Sequence, residues 1–155
     1  SFFLSFNLTA ENSVEALEET LYKFWEARNK QDFEMIFFYE SKIGAITGSS
    51  SENYFYEDPP PDLKSVVDYY SLVESNVEPS NIKIIQLSEK VYLSLYYLTG
   101  SYKYSNGRVN TEYKTRASNI WFYEDGGFKL YYKNFTNLKK ELEPTDIIAY
   151  PMDWF

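Results

Sequence analysis

The stretch Arg116-Ala117-Ser118-Asn119-Ile120-Trp121-Phe122-Tyr123-Glu124-Asp125-Gly126-Gly127-Phe128-Lys129-Leu130 decides the fold. From Arg116 to Tyr123 it is rich in side chains that suit a pleated, half-buried surface, and from Phe128 the same pattern resumes. Between them stands Asp125-Gly126-Gly127, residues that tolerate the positive φ a tight hairpin demands. The stretch reads as two antiparallel strands joined by a short turn. Working outward, the period-two pattern covers Arg108 to Tyr123 and Phe128 to Thr136, and recurs upstream in Val91 to Tyr104 and Ile82 to Ser88. Asn106-Gly107 closes the middle pair and Ser88-Glu89-Lys90 the first. The result is a meander of four antiparallel strands. Because the middle two are long, the sheet must twist and bend, leaving a concave face to be covered.

The cover comes from the first half of the chain, where the period becomes helical. Val14, Leu17, Leu21, Phe24 and Trp25 recur at helical spacing between Asn12 and Asn29, with Glu15, Glu18, Glu19, Glu26 and Arg28 assigned to other faces. Asn12 followed by Glu15 has the form of a capping box. Asp32 stands where it can cap a second, short helix through Phe33, Met35, Ile36 and Phe37. Lys42 to Ser49 reads as a short strand, and Tyr54 to Pro61, ending in consecutive prolines, as an extended loop in which Asp58 or Asp62 caps the next helix. Leu63, Val66, Val67, Tyr70 and Val73 form a third helical stripe that stops before Pro79. This order predicts an α+β fold, three N-terminal helices on a curved, mainly antiparallel sheet, in a single domain over residues 1–155. The core is expected at 12–138, with apolar extensions at 1–11 and 139–155; the run from Ile147 to Phe155 is expected to pack on something.

Composition narrows the function classes. A net charge of −8, from 15 Lys plus Arg against 23 Asp plus Glu, repels a phosphate backbone and argues against nucleic acid. No run approaches the roughly 20 apolar residues of a membrane span. The absence of Cys and His removes thiolate nucleophiles, disulfides, His-containing triads and the commonest transition-metal ligands, so no cofactor or metal is implied. The apolar start Ser1 to Phe6 suits either the trailing half of an export segment ending near Ala10 or an edge strand, which leaves cytoplasmic and exported locations both open. Tyr occurs 16 times and Phe 12. Buried tyrosines need partners for their hydroxyls, so this richness fits a cavity or an interface as well as a half-wet sheet face.

The quoted hairpin resembles the penultimate hairpin of the nuclear transport factor two-like (SnoaL-like, cystatin-like) superfamily. There a Ser or Thr precedes an aliphatic residue and Trp, Asp-Gly follows, and an aromatic residue opens the last strand. Asn29-Lys30-Gln31-Asp32 is similar to the polar-Gly-Asp link between that family's first two helices, with Gln31 in place of Gly. The resemblance extends from Asn12 to roughly Leu138 and implies a cone-shaped fold with a pocket between helices and sheet. It reaches the SnoaL-like, kinase association-domain and scytalone dehydratase members, yet transfers little chemistry. Tyr132-Lys133-Asn134-Phe135-Thr136 stands where association and SnoaL-like members carry His-x-His-x-Ser, and no carboxylate stands near Thr47-Gly48, where ketosteroid isomerases place their proton-shuttling Asp. Their second acid aligns with Asn119.

On these grounds Tyr22, Trp25, Tyr97, Asn119 and Asn134 are the candidate ligand contacts. Asn119 is expected to point from a central strand into the cone, and Tyr97 to share the inward face of the neighbouring strand with Leu93, Leu95 and Thr99. Core packing is the competing explanation for Trp25 and Tyr97. The catalytic candidates are Asn119 and Glu112, the latter through burial, which raises a carboxylate pKa. Two readings follow. The first is a pocket for a small apolar or amphipathic ligand, extending to a lyase or isomerase reaction. The second is a non-catalytic module that homodimerises or docks a partner through the outer sheet face, where Tyr92, Tyr96, Ile120 and Phe122 are expected.

Overall fold

The computed structural model describes residues 9–147. Three helices, α1 (Val14–Lys30), α2 (Phe33–Tyr39) and α3 (Leu63–Tyr70), pack on one six-stranded sheet. Its strands are β1 (Ala45–Gly48), β2 (Phe55–Asp58), β3 (Val73–Ser88), β4 (Val91–Tyr104), β5 (Val109–Glu124) and β6 (Gly127–Asn137). They lie in the order β2-β1-β6-β5-β4-β3, antiparallel throughout except where β1 runs parallel to β6. The α+β architecture expected from the sequence is the one observed. The apolar start Ser1 to Phe6, and all but Ile147 of the run to Phe155 expected to pack, lie outside the described residues.

Helix α1 begins at Ser13, whose hydroxyl accepts the Ala16 N–H at 3.1 Å. The expected cap, Asn12, does something else. Its amide donates to the Glu89 carbonyl at 2.9 Å and accepts the Tyr92 hydroxyl at 2.6 Å, fixing the helix entry to the β3–β4 hairpin. At the other end Gln31 takes the left-handed conformation, φ 52°. A side chain there costs roughly 1–2 kcal/mol relative to glycine. Two hydrogen bonds from its amide, to the carbonyls of Tyr70 and Val73 at 3.2 Å each, offset that cost by tying the turn to the end of α3. Asn29 adds a second tie, donating to the Val77 carbonyl and accepting the Val77 N–H and the Ser75 hydroxyl.

Two boundaries differ from expectation. Val73 belongs to β3 rather than to the third helix, and β3 starts nine residues before Ile82 and runs through Pro79. The strand tolerates proline because it lies at the sheet edge, where a missing N–H breaks no ladder. Likewise the segment read as a loop contains β2, paired antiparallel with β1 and held by the Thr47 hydroxyl donating to Asp58 at 2.5 Å. The prolines begin one residue after the pairing ends.

The core is aromatic. Leu17, Leu21, Phe24 and Trp25 of α1 bury themselves against Tyr92, Tyr96, Leu98 and Ala117 of the sheet, with Trp121, Phe128 and Leu130. Phe24 sits at the centre, edge-on to Trp25, Tyr39 and Trp121 at 5.1, 6.1 and 5.8 Å. The faces of β4 are the reverse of the expected ones. Ser94 pairs with Asn119 and Tyr96 with Ala117, so Tyr92, Ser94, Tyr96 and Leu98 point inward, while Leu93, Leu95, Tyr97 and Thr99 point outward. A shift of one residue inverts a whole strand face, and the sequence of β4 is apolar on both sides.

Candidate functional site

Between the helices and the sheet lie two polar clusters of opposite character. The first is closed. Trp25 donates its indole N–H to the Tyr96 hydroxyl at 3.1 Å, and Tyr96 donates onward to Asn119 Oδ1 at 2.7 Å. Trp121 donates to the Ser94 hydroxyl at 3.0 Å, which points to the same Oδ1 at 3.5 Å, and Asn119 uses its amide on the Ser118 carbonyl. Burial pushes the Tyr96 phenol far above its ordinary range. Every polar atom here has a partner inside the protein, so the cluster fixes packing and register.

The second cluster opens on a cavity of about 710 Å³. The C-terminal half of α1 contributes Trp25 and Arg28, α3 contributes Val66 and Tyr70, and the sheet contributes Tyr102, Tyr113, Lys133 and Phe135; the prolines Pro59 to Pro61 form the rim. At its base Glu40, buried at the end of α2, accepts the Tyr70 hydroxyl at 3.0 Å and stands 3.7 Å from the Lys133 ammonium. Arg28 lies over Tyr70, its guanidinium carbon 4.1 Å from the ring centroid, with Trp25 at 5.4 Å on the same side chain.

The electrostatics follow from that packing. Burial pushes the Tyr70 phenol up; neighbouring Lys133 and Arg28 pull the other way and Glu40 adds to the rise. Burial also works against the charge on Lys133, yet Tyr70 and Glu40 outweigh it and hold the ammonium above its usual range. Arg28 behaves in the same way through Tyr70, Tyr102 and Glu40. Tyr102 and Tyr113, on the cavity wall, are raised by burial. At neutral pH the cluster therefore presents two cations, a neutral phenol donor and a buried acid. Among the described residues no three His, Cys, Asp or Glu side chains converge in the manner of a metal site.

Of the five expected ligand contacts, Trp25 lines the cavity and the others do not. Asn119 points inward as expected but is enclosed in the first cluster. Tyr97 is on the outer face, and Tyr22 is 49% exposed on the solvent side of α1. Asn134 faces outward against Gly48, where a side-chain carbon would come within 2.3 Å of its Oδ1. The reason is a bulge: the β5–β6 register shifts between Trp121–Leu130 and Ile120–Tyr132, so that Lys133 and Phe135 turn inward in place of Tyr132 and Asn134. Glu112 and its neighbour Arg116 are exposed, which removes the burial that a catalytic role for Glu112 required.

The residues that do converge, Arg28, Glu40, Tyr70 and Lys133, were not singled out from the sequence. One signal was available. Arg28 follows Leu21 by seven residues and Phe24 by four, which puts it beside the buried stripe of α1 and not on another face.

No protein-family model matches this sequence, and no curated protein matches it. Solved structures do. A nuclear transport factor two-like protein from Cytophaga hutchinsonii superposes with a TM-score of 0.63 at 16% identity, over 83% of this chain and 100% of that one. A ketosteroid isomerase-like protein from Erwinia carotovora atroseptica gives 0.63 at 11% identity, over 81% and 96%. The association domain of a calcium/calmodulin-dependent kinase II from C. elegans gives 0.58 at 11% identity, over 79% and 94%. The helix order, the curved unclosed sheet and these superpositions agree: the chain has the cone-shaped fold of the nuclear transport factor two-like superfamily.

Proposed function

We propose that this domain binds a small amphipathic molecule in the open end of its cone. The observation that carries this reading is the cavity of about 710 Å³, walled by Trp25, Tyr102, Tyr113 and Phe135, with the Glu40–Tyr70–Lys133 cluster at its base. Apolar walls with a few convergent polar groups are the usual make-up of a ligand site. The ketosteroid isomerase-like neighbour fits the same reading. Within it, an isomerase- or lyase-type step falls to Glu40, the buried carboxylate able to take a proton from a carbon acid, with Tyr70 holding it in place. A thermal-shift screen of sterols, polyketides and aromatic acids tests the proposal, since ligand at about 100 times its Kd stabilises the folded state by ~2.7 kcal/mol. Binders are expected to quench the fluorescence of Trp25, which lines the cavity. A screen without a single stabilising compound would count against it.

A second reading stands beside the first: self-association through the outer sheet face. Leu93, Leu95, Tyr97, Ile120, Phe122 and Tyr131 lie on that face, with Phe122 stacked on Tyr131 at 4.8 Å. Tyr92 and Tyr96, expected there from the sequence, are core residues, so the patch is more aliphatic than anticipated. A neighbour described as an association domain supports this reading. Light scattering in dilute solution is expected to report a dimer that Phe122→Glu dissociates. A monomeric wild type refutes it and leaves the ligand reading untouched.

A further inference from the structure

We infer that the ligand of the cavity carries a single negative charge, a carboxylate on a planar apolar body, and that this carboxylate docks between Arg28 and Lys133. The inference rests on the cavity being a ligand site.

Hydrogen-bond capacity makes the case. Among the described residues the Arg28 guanidinium has no hydrogen bond or ion pair; its contacts are the faces of Tyr70, Trp25 and Phe24, at 4.1, 5.4 and 5.9 Å. Those ring contacts use none of its N–H donors, whose fork is the geometry that takes a carboxylate. Lys133 is 8% exposed, and its nearest carboxylate oxygen, on Glu40, is 3.7 Å away, beyond hydrogen-bond range. Glu40 already accepts from Tyr70. By contrast, the closed cluster around Asn119 has a partner for each of its groups.

Charge sets the valence. Arg28 and Lys133 supply the cationic donors, Glu40 is engaged by the Tyr70 hydroxyl, and Asp58 in the wall is engaged by the Thr47 hydroxyl and keeps its negative charge. The lining also carries Glu52, Glu57 and Asp62, which oppose a dianion. A monoanion takes up the open donors of Arg28 and Lys133 and is repelled less by these carboxylates than a dianion is, so a carboxylate is favoured over a phosphate ester. The body is planar because Trp25, Tyr102, Tyr113 and Phe135 offer ring faces and edges.

The test uses three probes of one shape, 2-naphthoate, 2-naphthamide and 2-naphthyl phosphate, titrated by calorimetry into the wild-type chain and into Arg28→Met, which keeps an apolar stem on Trp25 and Tyr70. Naphthoate is expected to bind about ten- to hundredfold more tightly than the amide, the span of charged hydrogen bonds over neutral ones. Arg28→Met is expected to abolish that preference, and Arg28→Lys to restore part of it. Amide binding equal to naphthoate, a preference that survives Arg28→Met, or tighter binding of the phosphate overturns the inference and leaves the cavity reading standing. If none of the three binds to the wild type, the inference falls, and the cavity reading is decided separately by the wider thermal-shift screen.

Discussion

Asn119 and Glu40 are both buried polar residues under the same helix layer, and they sit in opposite kinds of surroundings. Around Asn119, two tryptophans, a tyrosine and a serine close every hydrogen bond within the protein. Around Glu40, two cations and a phenol converge from three elements, and one of the cations is held by ring faces alone. The first arrangement is satisfied when the chain folds. The second still has donors facing a cavity. Burial and polarity therefore do not distinguish a site from a core; the donors left after folding do.

If that distinction is right, the closed end carries stability and the open end carries binding. The largest effect is expected from Trp121→Ala, which removes a fully buried indole packed edge-on to Phe24. Loss of such a side chain costs about 3–5 kcal/mol, read as a fall in the urea midpoint at unchanged slope. Next comes Asn119→Ala, which leaves the Tyr96 and Ser94 hydroxyls without their common acceptor and costs about 1–3 kcal/mol. Ligand affinity is expected to survive this change, and a variant that folds but no longer binds would break the comparison. Smaller still is the effect of replacing the Glu40–Lys133 pair together. The double variant Glu40→Leu with Lys133→Met is expected to unfold within about 1 kcal/mol of the wild type, because escaping the desolvation of both ions offsets the acceptor lost by the Tyr70 hydroxyl. Glu40→Leu alone, which strands Lys133, should be much less stable than the double variant.

The fold was legible because its signals are local. The Asp125-Gly126 turn, the Asn106-Gly107 turn and the change of period near residue 73–82 each act within a few residues, and together they leave few topologies. The site was not legible, and two residues show why. Alternation alone places Tyr97 inward, but both faces of β4 are apolar, and the partner strand decides which one is buried. Lys133 faces the cavity only because one extra residue bulges out of β6 after Leu130, a feature without a glycine or proline to mark it. Glu40 and Tyr70 lie thirty residues apart on separate helical segments, and nothing in either neighbourhood announces the other. Arg28 is the exception, since its helical spacing was readable.

The alkaline limb separates the two ends by titration, with no effect at neutral pH and a growing one above it. Burial pushes Tyr39 up to about 12 and raises Tyr96 further, while at the open end Tyr70 and Tyr102 are raised by burial with nearby cations opposing the rise. A phenol whose folded pKa exceeds its unfolded value stabilises the fold fully below the unfolded value, about 10 for tyrosine. That stabilisation is lost as pH climbs through the folded value, because the unfolded chain sheds its proton first. Lys133 has the same sign, since its raised pKa favours folding below about 10.4 and ceases to do so above. Unfolding free energy from urea titrations is thus expected to stay level with respect to these groups up to about pH 10 and to decline beyond it. The Glu40→Leu, Lys133→Met variant lacks the lysine's share and keeps that of Tyr96 and Tyr39, so its decline should be shallower than the wild type's without disappearing. A wild-type curve that stays flat to about pH 12 would mean that the tyrosines titrate as they do in the unfolded chain, and the closed end would lose its claim to be sealed.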